Sequence, residues 1–89
     1  MYTRILVFGH VQGVGFRITT KLRADQLELA GFVRNLPDGS VEIKVEGNKH
    51  KIAALIEEIK SGYHPGIVIE RLDIEKGINT NSFKNFIIK

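Results

Sequence analysis

The spacing of apolar residues in this chain switches several times between a strand period and a helix period, and the order of these switches limits the possible folds. Stretches rich in β-branched and aromatic residues predict strands over residues 3–8, 31–35, 41–46, 67–75 and 83–88. Helical spacing predicts one helix over residues 16–29 and a second that begins after Asn48 and ends at Ser61-Gly62. The predicted order is β-α-β-β-α-β followed by a short last strand. This order is typical of the ferredoxin-like α+β sandwich, an antiparallel sheet with both helices on one face.

The same patterns predict which face of each element is buried. In the first helix, Ile18, Leu22 and Leu29 fall on one stripe, with Ala24 and Leu27 nearby, and we expect this stripe to face the core. The third strand alternates apolar and charged residues, so we expect it to have one buried and one solvated face. Its apolar residues are Val41, Ile43 and Val45, and its charged residues are Glu42, Lys44 and Glu46. Residues 36–39 (Leu-Pro-Asp-Gly) predict a type I turn that joins the second and third strands.

The composition favours an ordinary globular domain and excludes several kinds of site. With 89 residues, 43% hydrophobic and 26% charged, residues 1–89 are expected to form a single domain. The chain has no cysteine, which excludes disulfides and thiolate metal sites, and its three histidines have no zinc-ligand spacing. A net charge of +3 favours anionic ligands but does not indicate nucleic acid. No signal peptide or membrane-spanning run is evident, so we expect a cytoplasmic protein.

A glycine-rich segment, Gly9-His-Val-Gln-Gly-Val-Gly-Phe-Arg17, separates the first strand from the first helix. Its three glycines permit positive φ angles, and such a corner can turn successive N–H groups toward an anion. Arg17 lies at or near the first helical turn, where a cation is unfavourable unless an anion is bound beside it. These features predict a small phosphate site. The segment matches neither a Walker A motif nor the dinucleotide fingerprint, and a tight corner that needs glycine only for its geometry stays open as an alternative.

Asn35 is the second candidate, because it ends the second strand where the following turn can approach the glycine-rich segment. Taken alone, an asparagine at this position more often satisfies the backbone of its own turn. Arg34 and Arg71 are interpreted as solvated charges on strand faces, and His10 as a surface residue without a nucleophile or carboxylate partner nearby in sequence. The chain contains no Gly-x-Ser-x-Gly element, so covalent catalysis has little support.

Two long segments resemble the signature sequences of the acylphosphatase family. The segment from Gly9 to Arg17 resembles the first signature, and Gly31-Phe-Val-Arg-Asn-Leu-Pro-Asp-Gly-Ser-Val-Glu42 resembles the second. The separation of 18 positions between Arg17 and Asn35 also matches the family, and residues 83–88 (Phe-x-x-Phe-x-Ile) are similar to its closing strand. The resemblance spans nearly the whole chain, and two motifs in register are more specific than either alone.

This resemblance implies an acylphosphatase that hydrolyses a small-molecule acyl phosphate to a carboxylate and inorganic phosphate, without metal or cofactor. Arg17 and the loop amides would bind the phosphate, and Asn35 would hold the attacking water. The residues implied in phosphate binding are Gln12, Gly13, Val14, Gly15, Phe16 and Arg17. Inorganic phosphate or sulfate is the expected product-like ligand, and a monomer is the expected state.

Three positions depart from the family pattern. Glu28 stands where the family has a glycine between two leucines, so we expect strain or a different cap at the end of the first helix. Phe32 stands where tryptophan is common, and residues 62–66 form a longer or differently arranged loop. None of the three is a predicted catalytic residue.

Two other functions are compatible with the predicted fold. A nucleic-acid-binding module is one, because the RNA-recognition fold shares this topology and the chain is basic. The third strand, residues 41–46, has no aromatic residue for stacking on bases, and its two glutamates repel phosphate, so no nucleic acid is expected. The other is a non-catalytic acylphosphatase-like domain of the kind fused to hydrogenase-maturation enzymes, and the length of this chain argues against it.

Overall fold

The computed structural model describes residues 2–78 and 82–89, which form two helices and one five-stranded sheet. The elements are β1 (Tyr2–His10), α1 (Phe16–Gln26), β2 (Ala30–Asn35), β3 (Val41–Glu46), α2 (Lys49–Ser61), β4 (Val68–Gly77) and β5 (Phe86–Ile88). The strands lie in the order β4-β1-β3-β2-β5. The predicted ferredoxin-like fold is confirmed. The sheet is mixed, because β5 pairs in parallel with β2 while the other neighbouring strands are antiparallel.

The ends of some strands differ from the predicted ones. β1 continues to His10, and β4 continues to Gly77 because it pairs with β1 along its whole length. The polar connection predicted over residues 76–82 therefore begins later than expected. Its residues 79–81 lie outside the described residues.

One face of the sheet carries the hydrophobic core, and both helices pack on it. Ile5 and Val7 of β1 are fully buried, and so are their partners Ile43 and Val41 on β3. The core receives Ile52, Leu55 and Ile59 from α2 and Phe16 and Ala24 from α1. Among the described residues, neither helix is both long and apolar enough to cross a membrane.

The second helix follows the prediction from its first residue to its last. The Asn48 side chain accepts hydrogen bonds from the N–H groups of His50 and Lys51, which makes it the N-cap. The helix ends at Gly62, which takes a left-handed φ of 78° and donates its N–H to the Ile59 carbonyl.

The predicted buried stripe of α1 is wrong for Ile18 and Leu22, although Ala24 beside it is buried. Ile18 and Leu22 are 61% and 56% exposed, whereas the buried residues of the helix are Phe16, Thr20 and Ala24. Leu29 is buried, but it lies beyond the end of the helix at Gln26 and so defines no helical face. Thr20 tolerates burial because its hydroxyl shares a hydrogen bond of 2.9 Å with the Tyr63 hydroxyl.

The end of α1, where strain or a different cap was expected, has a left-handed residue at Glu28. The N–H of Leu29 donates to the Ala24 carbonyl and the N–H of Glu28 donates to the Asp25 carbonyl, which is the Schellman pattern. This pattern requires a left-handed residue at Glu28, whose φ is 57°. Glu28 thus occupies the position where glycine is normally favoured. Its carboxylate accepts a hydrogen bond of 2.8 Å from Lys51 Nζ.

The charged face of β3 was predicted to be solvated, and this prediction is wrong for both of its glutamates. Glu42 and Glu46 are only 2% and 4% exposed. The Glu42 carboxylate accepts hydrogen bonds of 2.6 Å from Arg4 Nε on β1 and from Arg34 Nε on β2. The long side chains of the two neighbouring strands therefore cover the middle of this face.

Candidate active site

The three glycines of the sequence motif have two different structural roles. Gly9 lies within β1 at a register shift, and a Cβ there would lie 2.0 Å from the Val68 carbonyl oxygen of β4. Gly9 therefore serves strand pairing rather than a ligand. Gly13 and Gly15 form the loop itself, with left-handed φ angles of 75° and 80° and open space around them.

The loop presents main-chain N–H groups without partners. Within the described part of the chain, the N–H groups of residues 13–18 donate no hydrogen bond. Gly15 is the N-cap of α1 and has no side chain to cap the helix. An uncapped helix N-terminus beside unpaired amides favours the binding of an anion.

Arg17 adds a positive charge at the same place. It is the second residue of α1, whose first turn contains no acidic residue. Its Nη1 lies 3.5 Å from the Lys89 carbonyl oxygen, at the outer limit for a hydrogen bond, and it forms no ion pair with another described residue. Arg17 helps to line a concave pocket of about 130 Å³. The other residues of this pocket are Val11, Gly13, Gly15, Phe16 and Ile18.

Asn35 is the last residue of β2, and its side-chain oxygen is unusual. Oδ1 is buried and has no hydrogen-bond partner among the described residues. The turn that follows is closed by the Gly39 N–H donating to the Leu36 carbonyl, as expected. The side chain that serves this turn is Asp38, which accepts from the N–H and hydroxyl of Ser40. Asn35 is therefore not used by its own turn.

Two connections place the glycine-rich loop and the end of β2 at the same end of the sheet. Gln12 Nε2 donates hydrogen bonds of 2.8 Å to the carbonyls of Leu36 and Ser40, which ties the loop to the turn after Asn35. The sequence predicted Gln12 only as part of the phosphate loop, and its side chain is occupied by this link.

The second connection runs through the end of the chain. The Lys89 N–H donates to the Val33 carbonyl of β2 at 2.9 Å, and the Lys89 carbonyl faces Arg17. Because β1, β2 and β5 run in the same direction, their carboxyl ends lie at the same end of the sheet. The structure thus brings the two predicted catalytic residues to a common end of the fold.

Two residues that the sequence did not predict as part of the site contact the loop. The Tyr63 ring packs on the Phe16 ring with centroids 5.4 Å apart, and burial raises the pKa of Tyr63 to about 12. His64 Nε2 lies 3.1 Å from the Val14 carbonyl oxygen. The sequence shows only that residues 62–66 depart from the family pattern. It does not show which part of the chain this loop contacts.

No group of three or more His, Cys, Asp or Glu side chains arranged to hold a metal ion occurs among residues 2–78 and 82–89. The site offers a cation and amide donors, so its chemistry suits an anionic ligand.

Comparison with known proteins places the chain in a family. A family model described as Acylphosphatase matches residues 3–88. An acylphosphatase of Listeria monocytogenes is 45% identical over 92% of this chain and 88% of its own length. An acylphosphatase of Ligilactobacillus salivarius is 39% identical over 96% of this chain and 93% of its own length. The crystal structure of acylphosphatase from Bacillus subtilis matches with a TM-score of 0.93 and 35% identity, covering 99% of this chain and 97% of that one.

Fold and site together define a small ferredoxin-like domain whose glycine-rich loop opens onto an uncapped helix N-terminus. The chain belongs to the acylphosphatase family and is an acylphosphatase hydrolase. The resemblance noted in the sequence is therefore confirmed at the level of family and fold.

Proposed function

We propose that the chain hydrolyses the carboxyl–phosphate bond of small acyl phosphates, with Arg17 and the loop amides of residues 12–16 binding the phosphate and Asn35 orienting the water. The observation that carries this proposal is the set of unpaired N–H groups over residues 13–18 beside the uncompensated Arg17. An acyl phosphate supplies the anion that both features favour.

Phosphoryl transfer requires positioning and charge stabilisation more than covalent chemistry. The planar guanidinium of Arg17 matches two phosphate oxygens at once, which a lysine ammonium would not do. The loop amides donate to the remaining oxygens, where negative charge is held as the bond to the leaving group breaks. The leaving group is a carboxylate, which departs without protonation, so the reaction does not require a general acid.

The role of Asn35 follows from the chemistry of its amide. A carboxamide does not take up a proton near neutral pH, so Asn35 is not a general base. Its buried Oδ1 lacks a partner among the described residues and can accept a hydrogen bond from water. A water held in this way is oriented for in-line attack on phosphorus.

In this reaction the water oxygen forms a bond to phosphorus while the phosphorus–oxygen bond to the acyl group breaks. The electron pair of that bond leaves with the carboxylate. The proton of the water passes to the phosphate itself. A pH–rate profile that reveals an essential titrating side chain would contradict this last step.

We propose that residues 1–89 act as one domain and as a monomer in the cytoplasm, on small molecules rather than nucleic acid. Inorganic phosphate or sulfate is the expected product-like ligand. The small pocket of about 130 Å³ and the modest net charge of +3 support a small anionic substrate.

The test is hydrolysis of benzoyl phosphate in excess chelator. We expect full turnover in the wild type, a loss of about 10³-fold in kcat/KM for Arg17→Ala, and a loss of about 10²-fold for Asn35→Ala. Arg71→Ala and Asn85→Ala are matched controls, because both side chains are exposed and lie outside the pocket. Turnover that requires a metal, or that survives in both catalytic variants, would overturn the proposal. A folded but inactive wild type would favour the non-catalytic alternative.

A further inference from the structure

The loop after α2 touches the phosphate loop through His64, and the hydrogen bonds of this side chain define its tautomer. The Gly66 N–H lies 3.1 Å from His64 Nδ1, so Nδ1 accepts a hydrogen bond and carries no proton. The proton of the neutral ring is therefore on Nε2. His64 Nε2 then donates to the Val14 carbonyl oxygen, 3.1 Å away and 50 positions earlier in the chain.

This contact determines the direction of a neighbouring N–H group. The carbonyl of Val14 and the N–H of Gly15 belong to one planar trans peptide, so they point in opposite directions. With the Val14 oxygen held by His64, the Gly15 N–H points away from His64. Gly15 lines the pocket that contains Arg17, and its N–H is one of the unpaired donors.

Without such a contact, little would fix this peptide. Gly15 has a φ of 80°, and glycine occupies positive and negative φ about equally well, so the peptide between Val14 and Gly15 can flip. A flip would turn the carbonyl oxygen toward the side where the N–H now points. An oxygen there would repel a phosphate instead of binding it.

The residue before His64 braces the same region from a second direction. The Tyr63 hydroxyl shares a hydrogen bond of 2.9 Å with Thr20, and its ring packs on Phe16 in the first turn of α1. Tyr63 itself takes a left-handed φ of 64°. Backbone strain at a non-glycine residue persists only where the surrounding contacts hold it, and such residues cluster at functional sites.

We infer that His64 is a positioning residue for the phosphate loop, which holds the Gly15 amide in the orientation that binds phosphate. This inference rests on the proposed function of the loop. His64 does not touch the reacting atoms; it acts through the peptide between Val14 and Gly15.

Two substitutions separate this role from general support of the fold. In His64→Asn, the side-chain oxygen can still accept from the Gly66 N–H, as asparagine commonly does two residues ahead, but it no longer reaches Val14. In His64→Gln, the longer amide can donate to the Val14 carbonyl. The first variant removes only the contact of interest, and the second restores it.

The measurement is the inhibition constant of inorganic phosphate against benzoyl phosphate hydrolysis. Loss of one hydrogen bond is expected to raise it about fivefold in His64→Asn, with recovery in His64→Gln and an unchanged thermal midpoint in both. In the nitrogen-15 spectrum of the free protein, the Gly15 amide signal should shift or broaden in His64→Asn alone.

Unchanged phosphate inhibition in His64→Asn would overturn the inference. So would weaker inhibition that is accompanied by a lower thermal midpoint and not recovered in His64→Gln. In both cases the wild type remains active, so the proposed function survives. A wild type that neither turns over benzoyl phosphate nor binds phosphate would overturn both.

Discussion

Replacement of Glu42 by glutamine is expected to destabilise the fold at neutral pH. The Glu42 carboxylate is 2% exposed and accepts hydrogen bonds of 2.6 Å from both Arg4 and Arg34. Charge-assisted hydrogen bonds contribute about 1.5–3 kcal/mol each. The two arginine side chains are 33% and 46% exposed, so solvent recovers part of this energy when the charge is removed. We expect a net loss of about 2 kcal/mol, which lowers the thermal midpoint of a domain of this size by roughly 8–16 °C.

The loss is expected to depend on pH. Burial raises the pKa of Glu42, but the hydrogen bonds and charges of Arg34 and Arg4 outweigh burial and hold the pKa below its usual value. The folded-state pKa is thus lower than the unfolded one. The stabilisation is complete above the unfolded value of about 4.3 and is lost as the pH falls through the folded value. The gap between wild type and Glu42→Gln should therefore narrow in acid.

Thermal unfolding followed by circular dichroism, once near neutral pH and once in acid below the unfolded pKa, measures both effects. Glu57→Gln is the matched control, because Glu57 is 74% exposed and 3.8 Å from Lys60. It should leave the midpoint unchanged. A thermal midpoint of Glu42→Gln equal to that of the wild type at neutral pH, or a deficit that is the same in acid, would contradict this role of the Glu42 carboxylate.

Three further predictions concern stability. Tyr63→Phe should cost about 1 kcal/mol in urea unfolding through loss of the bond to Thr20. In the wild type, the free energy of unfolding should fall between about pH 10 and 12, because the pKa of Tyr63 is about 12 in the folded state and about 10 in the unfolded state. Tyr63→Phe has no phenol to ionise and should not show this fall, which urea unfolding at a series of high pH values measures. Glu28→Gly should raise the thermal midpoint by about 2–5 °C, because Glu28 has a φ of 57°, which glycine adopts more easily than glutamate. An unchanged midpoint would argue against strain at Glu28. Gly31→Ala should abolish cooperative unfolding, since its Cβ would lie 1.8 Å from the Lys44 carbonyl oxygen; a native-like transition would contradict this.

The parts of the fold that sequence predicted correctly are those encoded by neighbouring residues. The order of strands and helices follows from local periodicity, and the limits of α2 follow from Asn48 at one end and Gly62 at the other. The unusual helix end at Glu28 was also predictable, because the residue that replaces a glycine after a helix has to adopt the left-handed conformation itself.

The parts that sequence did not predict depend on distant residues. Thr20, and not Ile18 or Leu22, lies on the buried face of α1, where its hydroxyl shares a hydrogen bond with that of Tyr63, 43 positions away. Glu42 is buried because arginines from two other strands converge on it. Periodicity sees only the polarity of each residue and gives no information about a partner across the fold.

In the candidate site, too, the sequence predicted what local motifs encode and did not predict the contacts between distant residues. Arg17 and Asn35 came from two sequence motifs and their spacing, and their catalytic roles stay predictions. The contacts that hold their surroundings came only from the structure, because Gln12 reaches the 36–40 turn and His64 reaches Val14 over long sequence separations. The motifs thus predicted which residues act on the substrate, and the structure shows the long-range contacts around those residues.

The two outer strands of the sheet have a consequence for self-association. β4 forms one edge and presents ten residues of backbone, which is a template on which another chain can add a strand. Its exposed positions include a dense row of charges: Glu70, Arg71, Asp73, Glu75 and Lys76. β5 forms the other edge and is only three residues long. Charged side chains on β4 and the short length of β5 therefore disfavour the pairing of either edge strand with another chain, which protects the domain against aggregation.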